Sequence, residues 1–536
     1  MSSWIRSGQT KTEWGSHPMS KNVIVIGAGP GGLASAMLLA HAGLNVRVLE
    51  RLPEVGGRTR TLRSESGFHF DLGPTFFLYP TVLRSIFEHT GLDLDERLDL
   101  VRLDPQYRVV FGKGGELLAT PDVERMEQAI AALAPLDATR FQDFLADNRE
   151  KLERFRPCLE TPFLGWRDVL SRRLLSLLPL VRPWRSLEQE VGQYFSDERI
   201  RLAFTFQSKY LGMSPFRCPS LFSILSFLEY EHGVYHPIGG CGAVTRAMAD
   251  AATELGAKIS TGEEVRGLEF RRKRVVGVHT DRGSYPCDAI VINADFARAM
   301  KRFVPDRLRR RWSDRKIAKS RFSCSTFMLY LGIEGRFDDV SHHTIYIPER
   351  YRRNLEDIER NGVVSEELSF YVQNASVTDP TLAPDGMSTL YVLVPVPNRR
   401  FPIDWSTEAP RLRGKVFRHL KKIGLGDVER RVRYERMITP EDWDRRHEIH
   451  LGATFSLAHN LRQMLHLRPR NRFADLDGVY LTGGGTHPGS GLPVIFESAR
   501  ITSKLLVEDF GGQMQPGGRP SRRVSEAPVS GLVAAS

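Results

Sequence analysis

The stretch KNVIVIGAGPGGLASAMLLAHAGLNVRVLE, residues 21–50, decides the fold of this chain. It begins with an apolar, β-branched run at Val23–Ile26, which predicts a buried parallel strand. A glycine-rich turn follows, and residues 33–42 carry small and apolar side chains at helical spacing. A second strand is predicted over Asn45–Leu49 and ends at Glu50. The stretch therefore predicts a strand–turn–helix–strand unit.

The turn has the spacing G-x-G-x-x-G at Gly27, Gly29 and Gly32. In such a turn the first glycine permits the tight bend, the second lets a pyrophosphate approach the backbone, and the third lets the helix pack closely on the strand. The helix N-terminus adds unpaired N–H groups and a partial positive charge. Glu50 stands where a carboxylate can accept hydrogen bonds from ribose hydroxyls. Together these features predict a dinucleotide site.

The residues after Glu50 favour FAD over NAD. The sequence RLPEVGGR, residues 51–58, places Gly56, Gly57 and Arg58 a short loop beyond the acid. Paired glycines let the backbone approach the cofactor phosphates, and Arg58 can add a charge-assisted contact. The alternative is an ordinary Gly-Gly turn followed by a surface arginine.

Composition limits the class of protein and of partner. A chain of 536 residues with 41% hydrophobic residues has enough core for two or more soluble domains. The formal net charge of +11 suggests an anionic partner, and without a nucleic-acid motif a lipid surface is favoured. A diffuse basic surface without function remains an alternative.

Other features of the composition predict a protein of the cytoplasm. Five scattered cysteines without a CxxC pair argue against a disulfide framework or zinc site. Residues 1–20 lack a signal-peptide core, and no apolar run is long enough to predict a transmembrane helix.

Residues 161–190, TPFLGWRDVLSRRLLSLLPLVRPWRSLEQE, combine apolar, tryptophan and arginine side chains. They predict a helix with one apolar face, kinked or ended by Pro179, that lies in a membrane interface. The apolar face consists of Leu170, Leu174, Leu177, Leu178 and Val181. The alternative is a buried helix with a basic outer face, because either packing satisfies the same pattern.

The rest of the chain predicts an interrupted nucleotide domain. Residues 81–160 have a mostly helical pattern, Asp288–Asp295 predicts a strand that returns to the first sheet, and Gly478–Thr482 predicts the last strand. That strand opens into the glycine-dense turn GGGTHPGSGLP, residues 483–493, and a helix from Val494 to about Phe510. The turn presents backbone N–H groups to the pyrophosphate and the flavin.

The predicted fold class is α/β. A discontinuous Rossmann-like FAD-binding domain of the glutathione-reductase type carries an inserted α+β substrate domain and a helical membrane-associating region. The FAD-binding domain is assigned to residues 21–110, 233–300 and 475–510, the helical region to 111–232, and the substrate domain to 301–474. Residues 1–20 and 511–536 are predicted to be disordered.

Motifs along nearly the whole chain resemble those of the bacterial and fungal type of phytoene desaturases, carotenoid desaturases of the flavin amine-oxidase-like superfamily. The matching pieces are VIVIGAGPGGL at 23–33, LERLPEVGGR at 49–58, GFHFDLGPT at 67–75, GVYHPIGG at 233–240, HHTIYIPERYR at 342–352, SVTDPTLAPDG at 376–386, YVLVPVP at 391–397 and LTGGGTHPGSGLP at 481–493. Val494 departs from many relatives, which carry a small residue at this position.

The resemblance implies FAD as cofactor and names the residues that bind it. These are Gly27, Gly29, Gly32, Glu50, Gly56, Gly57 and Arg58, with Val265 at the adenine and Gly485, Thr486, Pro493 and Val494 around the pyrophosphate and flavin. It also implies a monotopic protein at the cytoplasmic face of the membrane that draws a long polyene into an apolar tunnel, with no nucleic-acid partner. Whether the substrate is the C40 precursor phytoene, its C30 analogue or a partly desaturated polyene stays open.

The expected reaction is desaturation of an allylic C–C bond by hydride transfer to FAD, with quinone or oxygen as the final electron acceptor. No residue stands out as a general base. For His487 and Asp71 a backbone-orienting role is favoured, since a hydrocarbon substrate offers almost nothing to hydrogen-bond. Isomerisation or oxygenation of a carotenoid, oxidation of a soluble amine, and a flavin protein without catalysis are the alternatives.

Overall fold

The computed structural model describes residues 21–169 and 176–514. Within these residues, five parallel strands form one sheet, called the parallel sheet below. In spatial order its strands are Lys258–Ser260, Asn45–Leu49, Asn22–Ile26, Ala289–Ile292 and Val479–Leu481. Strands far apart in sequence therefore lie side by side, and the strand predicted within Asp288–Asp295 does return to the first sheet.

Both faces of the parallel sheet are covered, which explains why its inner strands Asn22–Ile26 and Ala289–Ile292 are almost wholly apolar. Val23 and Val25 point into a cluster with the helices Pro30–His41, Cys241–Glu254 and Leu492–Asp509. Ile24 and Ile26 pack on the other side. There they meet the helix Phe296–Phe303 and a small antiparallel sheet with strands Val265–Arg271, Arg274–Thr280 and Ser284–Pro286.

Seven strands from the described part of the chain form a second sheet, called the mixed sheet below. In spatial order they are Val432–Ile438, Ser325–Glu334, Met387–Val396, Phe370–Gln373, His343–Ile347, Tyr107–Phe111 and Glu116–Ala119. Tyr107–Phe111 pairs parallel to His343–Ile347, and the other pairs are antiparallel. Two further small antiparallel sheets are described: Thr61–Arg63 pairs with His69–Asp71, and Val234–Pro237 lies between Phe77–Leu78 and Leu100–Arg102.

The remaining helices surround the two sheets. They are Thr81–His89, Val123–Leu133, Pro135–Ala138, Arg140–Glu160, Trp166–Val169, Leu178–Val181, Leu187–Val191, Glu198–Ala203, Ser223–His232, Asp314–Lys319, Tyr351–Glu356, Trp405–Leu420, Val428–Arg431 and Pro440–Arg445. Among residues 21–169 and 176–514, no helix is long and apolar enough to cross a bilayer.

The structure differs from two sequence predictions. The pattern over residues 81–160 predicts mostly helices, and this prediction is wrong for residues 100–119, which contain three strands. The assigned boundary at residue 110 falls inside Tyr107–Phe111, a strand of the mixed sheet. The residues of this strand alternate between buried and half-buried positions, which is the two-residue period of a strand. The helical pattern of the flanking segments does not extend through it.

The prediction for residues 161–190 also needs revision. Leu170 and Leu174 lie outside the described residues. Two short helices, Trp166–Val169 and Leu178–Val181, lie on either side of the undescribed residues, and Pro179 lies in the first turn of the second helix. Leu177 is buried, whereas Leu178 is 42% exposed, so the two residues do not share one apolar face.

Candidate active site

The first glycine turn lies at the carboxyl end of strand Asn22–Ile26 and has little room for a side chain. Gly27 has φ +98°, and a Cβ there would stand 2.8 Å from the Asn293 carbonyl oxygen. A Cβ on Gly32 would stand 2.1 Å from the Gly27 carbonyl oxygen. The Asn293 side-chain amide donates to the same oxygen at 3.1 Å. The tight turn and the close packing of the helix, both predicted from sequence, are thus present.

Glu50 is fixed beside this turn. One carboxylate oxygen accepts a hydrogen bond from the Ala28 N–H at 2.8 Å, and the other accepts from the Leu52 N–H at 2.9 Å. The side chain is buried and lines the cavity described below. Each oxygen keeps a further lone pair, so the carboxylate can still accept from a ribose hydroxyl.

The paired glycines pack on the first glycine turn. The Gly56 N–H donates to the Ala28 carbonyl at 2.8 Å, and a Cβ on Gly57 would stand 3.3 Å from Gly29 Cα. Arg58 Nη1 then donates to the Thr454 carbonyl at 2.5 Å. Burial lowers the pKa of Arg58, and nearby Asp295 opposes that shift. This loop therefore links the start of the chain to a segment near its end.

The last glycine turn lies against the first. A Cβ on Gly31 would stand 3.1 Å from Ile495 Cγ2 and 3.2 Å from Thr482 Oγ1, so helix Pro30–His41 packs at the start of helix Leu492–Asp509. The two turns, separated by more than 400 residues of sequence, therefore share one site.

A buried arginine holds the last glycine turn from behind. Arg468 Nη2 donates to the Gly484 carbonyl at 2.6 Å and to the Leu457 carbonyl at 3.3 Å, and Nε donates to the Thr486 carbonyl at 3.1 Å. The side chain has no exposed surface, and burial lowers the pKa of Arg468 to about 9. Sequence reasoning missed Arg468 because nothing in its local pattern distinguishes it from the surface arginines.

Both glycine turns line one cavity of about 500 Å³. Nine of the twelve predicted cofactor residues are among the residues that line it: Gly27, Gly29, Glu50, Gly57, Arg58, Val265, Gly485, Pro493 and Val494. The other three are close neighbours of these: Gly32 packs on Gly27, while Gly56 and Thr486 adjoin Gly57 and Gly485 in sequence. Asn293 also lines the cavity, and its place at the end of a buried strand was the signal that could have identified it.

The same cavity continues between the mixed sheet and nearby helices, where its walls are mainly apolar. The side chains there include Phe206, Leu225, Leu228, Met328, Ile345, Ile347 and Leu393. A polar cofactor region thus opens directly onto an apolar region, which suits a ligand without hydrogen-bonding groups.

The side chains of Asp71 and His487 contact backbone groups, which fits the backbone-orienting role predicted from the sequence. Asp71 accepts a hydrogen bond from the Cys241 N–H at 2.7 Å, and His487 Nε2 lies 3.1 Å from the Thr161 carbonyl oxygen. Burial raises the pKa of Asp71 to about 6, although His236 and the Cys241 N–H partly oppose the shift. Tyr371 and Thr75, which sequence reasoning missed, line the cavity and contact each other at 2.8 Å.

Sequence comparisons relate this chain to a protein family and to known proteins. Residues 30–507 match the family described as flavin containing amine oxidoreductase. The chain is 40% identical over 489 residues to a 4,4'-diapophytoene desaturase (4,4'-diapolycopene-forming) of Methylomonas sp, covering 91% of this chain and 95% of that protein. It is 38% identical to an all-trans-zeta-carotene desaturase of Myxococcus xanthus, covering 93% and 95%.

Solved structures share the fold at much lower identity. An oxidoreductase from Methanosarcina mazei superposes with a TM-score of 0.57 at 18% identity, covering 89% of this chain and 98% of that one. Putrescine oxidase bound to putrescine gives a TM-score of 0.57 at 17% identity, covering 92% and 99%. At these identities the likeness concerns the fold alone.

Proposed function

We propose that this chain, which belongs to the flavin-containing amine oxidoreductase family and within it to the FAD-dependent carotenoid desaturases, introduces C=C bonds into a linear C30 or C40 carotenoid precursor. The single observation that carries the proposal is the cavity shared by both glycine turns and an apolar region. One ligand can bind at the turns while a hydrocarbon lies beside it, without water between them.

The residues of the two turns fit FAD in an extended form. The Gly27–Gly29 backbone and the N-terminus of helix Pro30–His41 would hold the pyrophosphate, and Glu50 would accept from the ribose. Pro493 and Val494, in the first turn of helix Leu492–Asp509, line the cavity where the flavin would lie. The partial positive charge of that helix end favours negative charge nearby. Bound FAD supplies the two-electron oxidant for the reaction.

The apolar walls position the hydrocarbon and exclude water. Since the substrate offers no hydrogen-bonding groups, shape and burial have to align it, with reacting atoms at about 3–3.5 Å. Val494 lines the cavity beside the cofactor region and would influence which bond of the polyene reacts. We assign this apolar region to an inserted substrate domain built on the mixed sheet, and quinone or oxygen to the role of electron acceptor.

Reconstitution tests the proposed activity. The FAD-loaded protein in liposomes, supplied with a quinone or oxygen, should convert phytoene or its C30 analogue into products that lack two hydrogen atoms per new bond and absorb at longer wavelength. Chromatography and mass spectrometry of both precursors separate the substrates. If the FAD-loaded protein leaves both unchanged, the proposal is wrong. An amine oxidase is not favoured, because relatives that are 33–40% identical are carotenoid desaturases.

We further propose peripheral binding at the cytoplasmic face of the membrane. Trp184 is 69% exposed and Leu178 42% exposed, with Arg182 and Arg185 nearby in sequence. An exposed tryptophan and leucine among cations suit a lipid interface. Replacing Leu178 and Trp184 by Ser should reduce co-sedimentation with anionic liposomes while FAD stays bound. The control is Leu136→Ser, a leucine 88% exposed on another helix. Equal sedimentation of all three proteins would contradict this proposal.

A further inference from the structure

One wall of the cavity carries Tyr371, which is hydrogen-bonded to the buried His343. The Tyr371 hydroxyl lies 2.7 Å from His343 Nδ1 and 2.8 Å from Thr75 Oγ1. Tyr371 and Thr75 both line the cavity, and His343 lies behind them. Tyr371 and His343 come from adjacent antiparallel strands of the mixed sheet, so the backbone fixes their separation.

His343 is held as a neutral base without contact to water. Its side chain has no exposed surface, and its ring stacks on Phe76 at 4.0 Å between centroids. Burial lowers the pKa of His343 well below its ordinary value, and the neighbouring His236 acts in the same direction. Nε2 of His343 has no hydrogen-bond partner among the described residues. A buried imidazole nitrogen without a hydrogen-bond partner costs free energy, so its presence in a folded protein calls for an explanation.

The polar groups behind His343 can moderate a positive charge. The His342 ring lies 4.4 Å from that of His343 and 4.7 Å from that of His236. His236 Nε2 lies 3.3 Å from an Asp379 carboxylate oxygen. The second carboxyl group is that of Asp71, whose pKa is lowered by His236 against the larger rise that burial causes. The cluster thus places two carboxyl groups behind a row of imidazoles.

The pair lies near the border between the cofactor region and the apolar region. Thr75 follows Gly73–Pro74, and a Cβ on Gly73 would stand 2.8 Å from the Arg58 carbonyl oxygen. The Tyr391 hydroxyl, from the next strand, donates to the Gly73 carbonyl at 2.7 Å. A polyene lying beside the flavin would therefore pass close to the Tyr371 hydroxyl.

We propose that Tyr371 takes up the proton that the substrate loses during desaturation and passes its own hydroxyl proton to His343 Nδ1. The inference rests on the proposed function. With FAD bound, one C–H bond would break with loss of hydride to that cofactor, and the C–H bond on the neighbouring carbon would break with loss of a proton. That proton forms a new O–H bond on Tyr371 as the old one breaks, and the electron pair it leaves becomes the new C=C bond.

A weak base is sufficient for this step. Loss of hydride leaves an allylic cation, whose neighbouring C–H groups are strongly acidic. A neutral imidazole reached through a phenol can accept such a proton, and its low basicity keeps His343 unprotonated before the substrate binds. Tyr371 is therefore a catalytic residue and His343 a positioning residue that acts through it.

The test uses Tyr371→Phe in the FAD-loaded protein in liposomes, with precursor deuterated either at the hydride-losing carbon or at the proton-losing carbon. The rate of bond formation should fall about a hundredfold. The isotope effect at the proton-losing carbon should rise, while FAD absorbance and the unfolding temperature stay near wild type. His343→Gln should give the same isotope signature. The control is Tyr330→Phe, a buried tyrosine whose hydroxyl donates to the Leu72 carbonyl at 2.6 Å; its isotope effects should stay unchanged.

The results for wild type and Tyr371→Phe distinguish a failure of the role proposed for Tyr371 from a failure of the proposed desaturase activity. If wild type desaturates the precursor and Tyr371→Phe does so at the same rate with the same isotope effects, the proton acceptor is another group and the inference is wrong. A slow Tyr371→Phe with unchanged isotope effects also overturns it, because that result indicates altered packing alone. A wild-type protein that converts neither precursor overturns both proposals.

Discussion

Replacing Gly27 by Ala tests how far the first glycine turn depends on glycine. Gly27 has φ +98°, which costs a residue with a side chain about 1–2 kcal/mol. The new Cβ would also stand 2.8 Å from the Asn293 carbonyl oxygen, a backbone atom that cannot rotate away. Overpacking of this kind costs about 1–3 kcal/mol, so the free energy of unfolding should fall by about 2–5 kcal/mol in total.

Two other glycines separate these terms. Gly43 has φ +82°, but a Cβ there meets no atom within 4 Å, so Gly43→Ala should show the backbone cost alone, about 1–2 kcal/mol. Gly267→Ala lacks both problems and should have little effect. Thermal unfolding and FAD titration by fluorescence quenching give stability and affinity. If about 3 kcal/mol is lost from the bound state of Gly27→Ala, Kd for FAD rises roughly a hundredfold. A Gly27→Ala protein that unfolds like Gly43→Ala and keeps wild-type FAD affinity would refute the reasoning.

Three further predictions concern single side chains. Glu50→Gln puts an amide NH₂ against one of two backbone N–H donors, so FAD affinity should fall about tenfold in the same titration; an unchanged Kd would contradict the role of Glu50. Arg468→Met leaves the Gly484 and Thr486 carbonyls without their donor and should lower the free energy of unfolding by about 2–4 kcal/mol with loss of FAD; unchanged denaturation and absorbance would count against it. The pKa of Asp71 is about 6 in the folded protein, above the unfolded value of 3.8. Protonation of Asp71 therefore stabilises the fold by about 3 kcal/mol below pH 3.8. This contribution is lost as the pH rises through 6. Asp71→Asn should therefore flatten the fall in unfolding temperature between pH 4 and 6, and identical pH profiles would refute the assignment.

Local sequence signals predicted the cofactor half of the molecule. The glycine turns, Glu50 and the strands beside them depend on backbone geometry and short-range periodicity, which a sequence records directly. The last helix was expected from Val494 to about Phe510 and runs over Leu492–Asp509. The apolar, β-branched run Val23–Ile26 predicts a buried strand; the strand runs over Asn22–Ile26, and both of its faces are covered.

The other half depends on contacts that have no local signal. Strand Tyr107–Phe111 joins a partner more than 200 residues away, and its flanks have helical patterns, so the pairing cannot be read from the segment itself. His343 and Tyr371 become a hydrogen-bonded pair only because their strands are neighbours in the mixed sheet. Arg468 is conspicuous only when its burial beneath the last glycine turn is known.

We expect both glycine turns to hold one FAD whose ring faces the apolar region of the cavity. A crystal structure of the FAD-loaded protein tests it most directly. The pyrophosphate should lie at Gly27 and Gly29, a ribose at Glu50, and the flavin ring between Gly485 and Pro493 with one face toward Tyr371. A cofactor that contacts only one of the turns, or a flavin ring directed away from the apolar side chains, would contradict it.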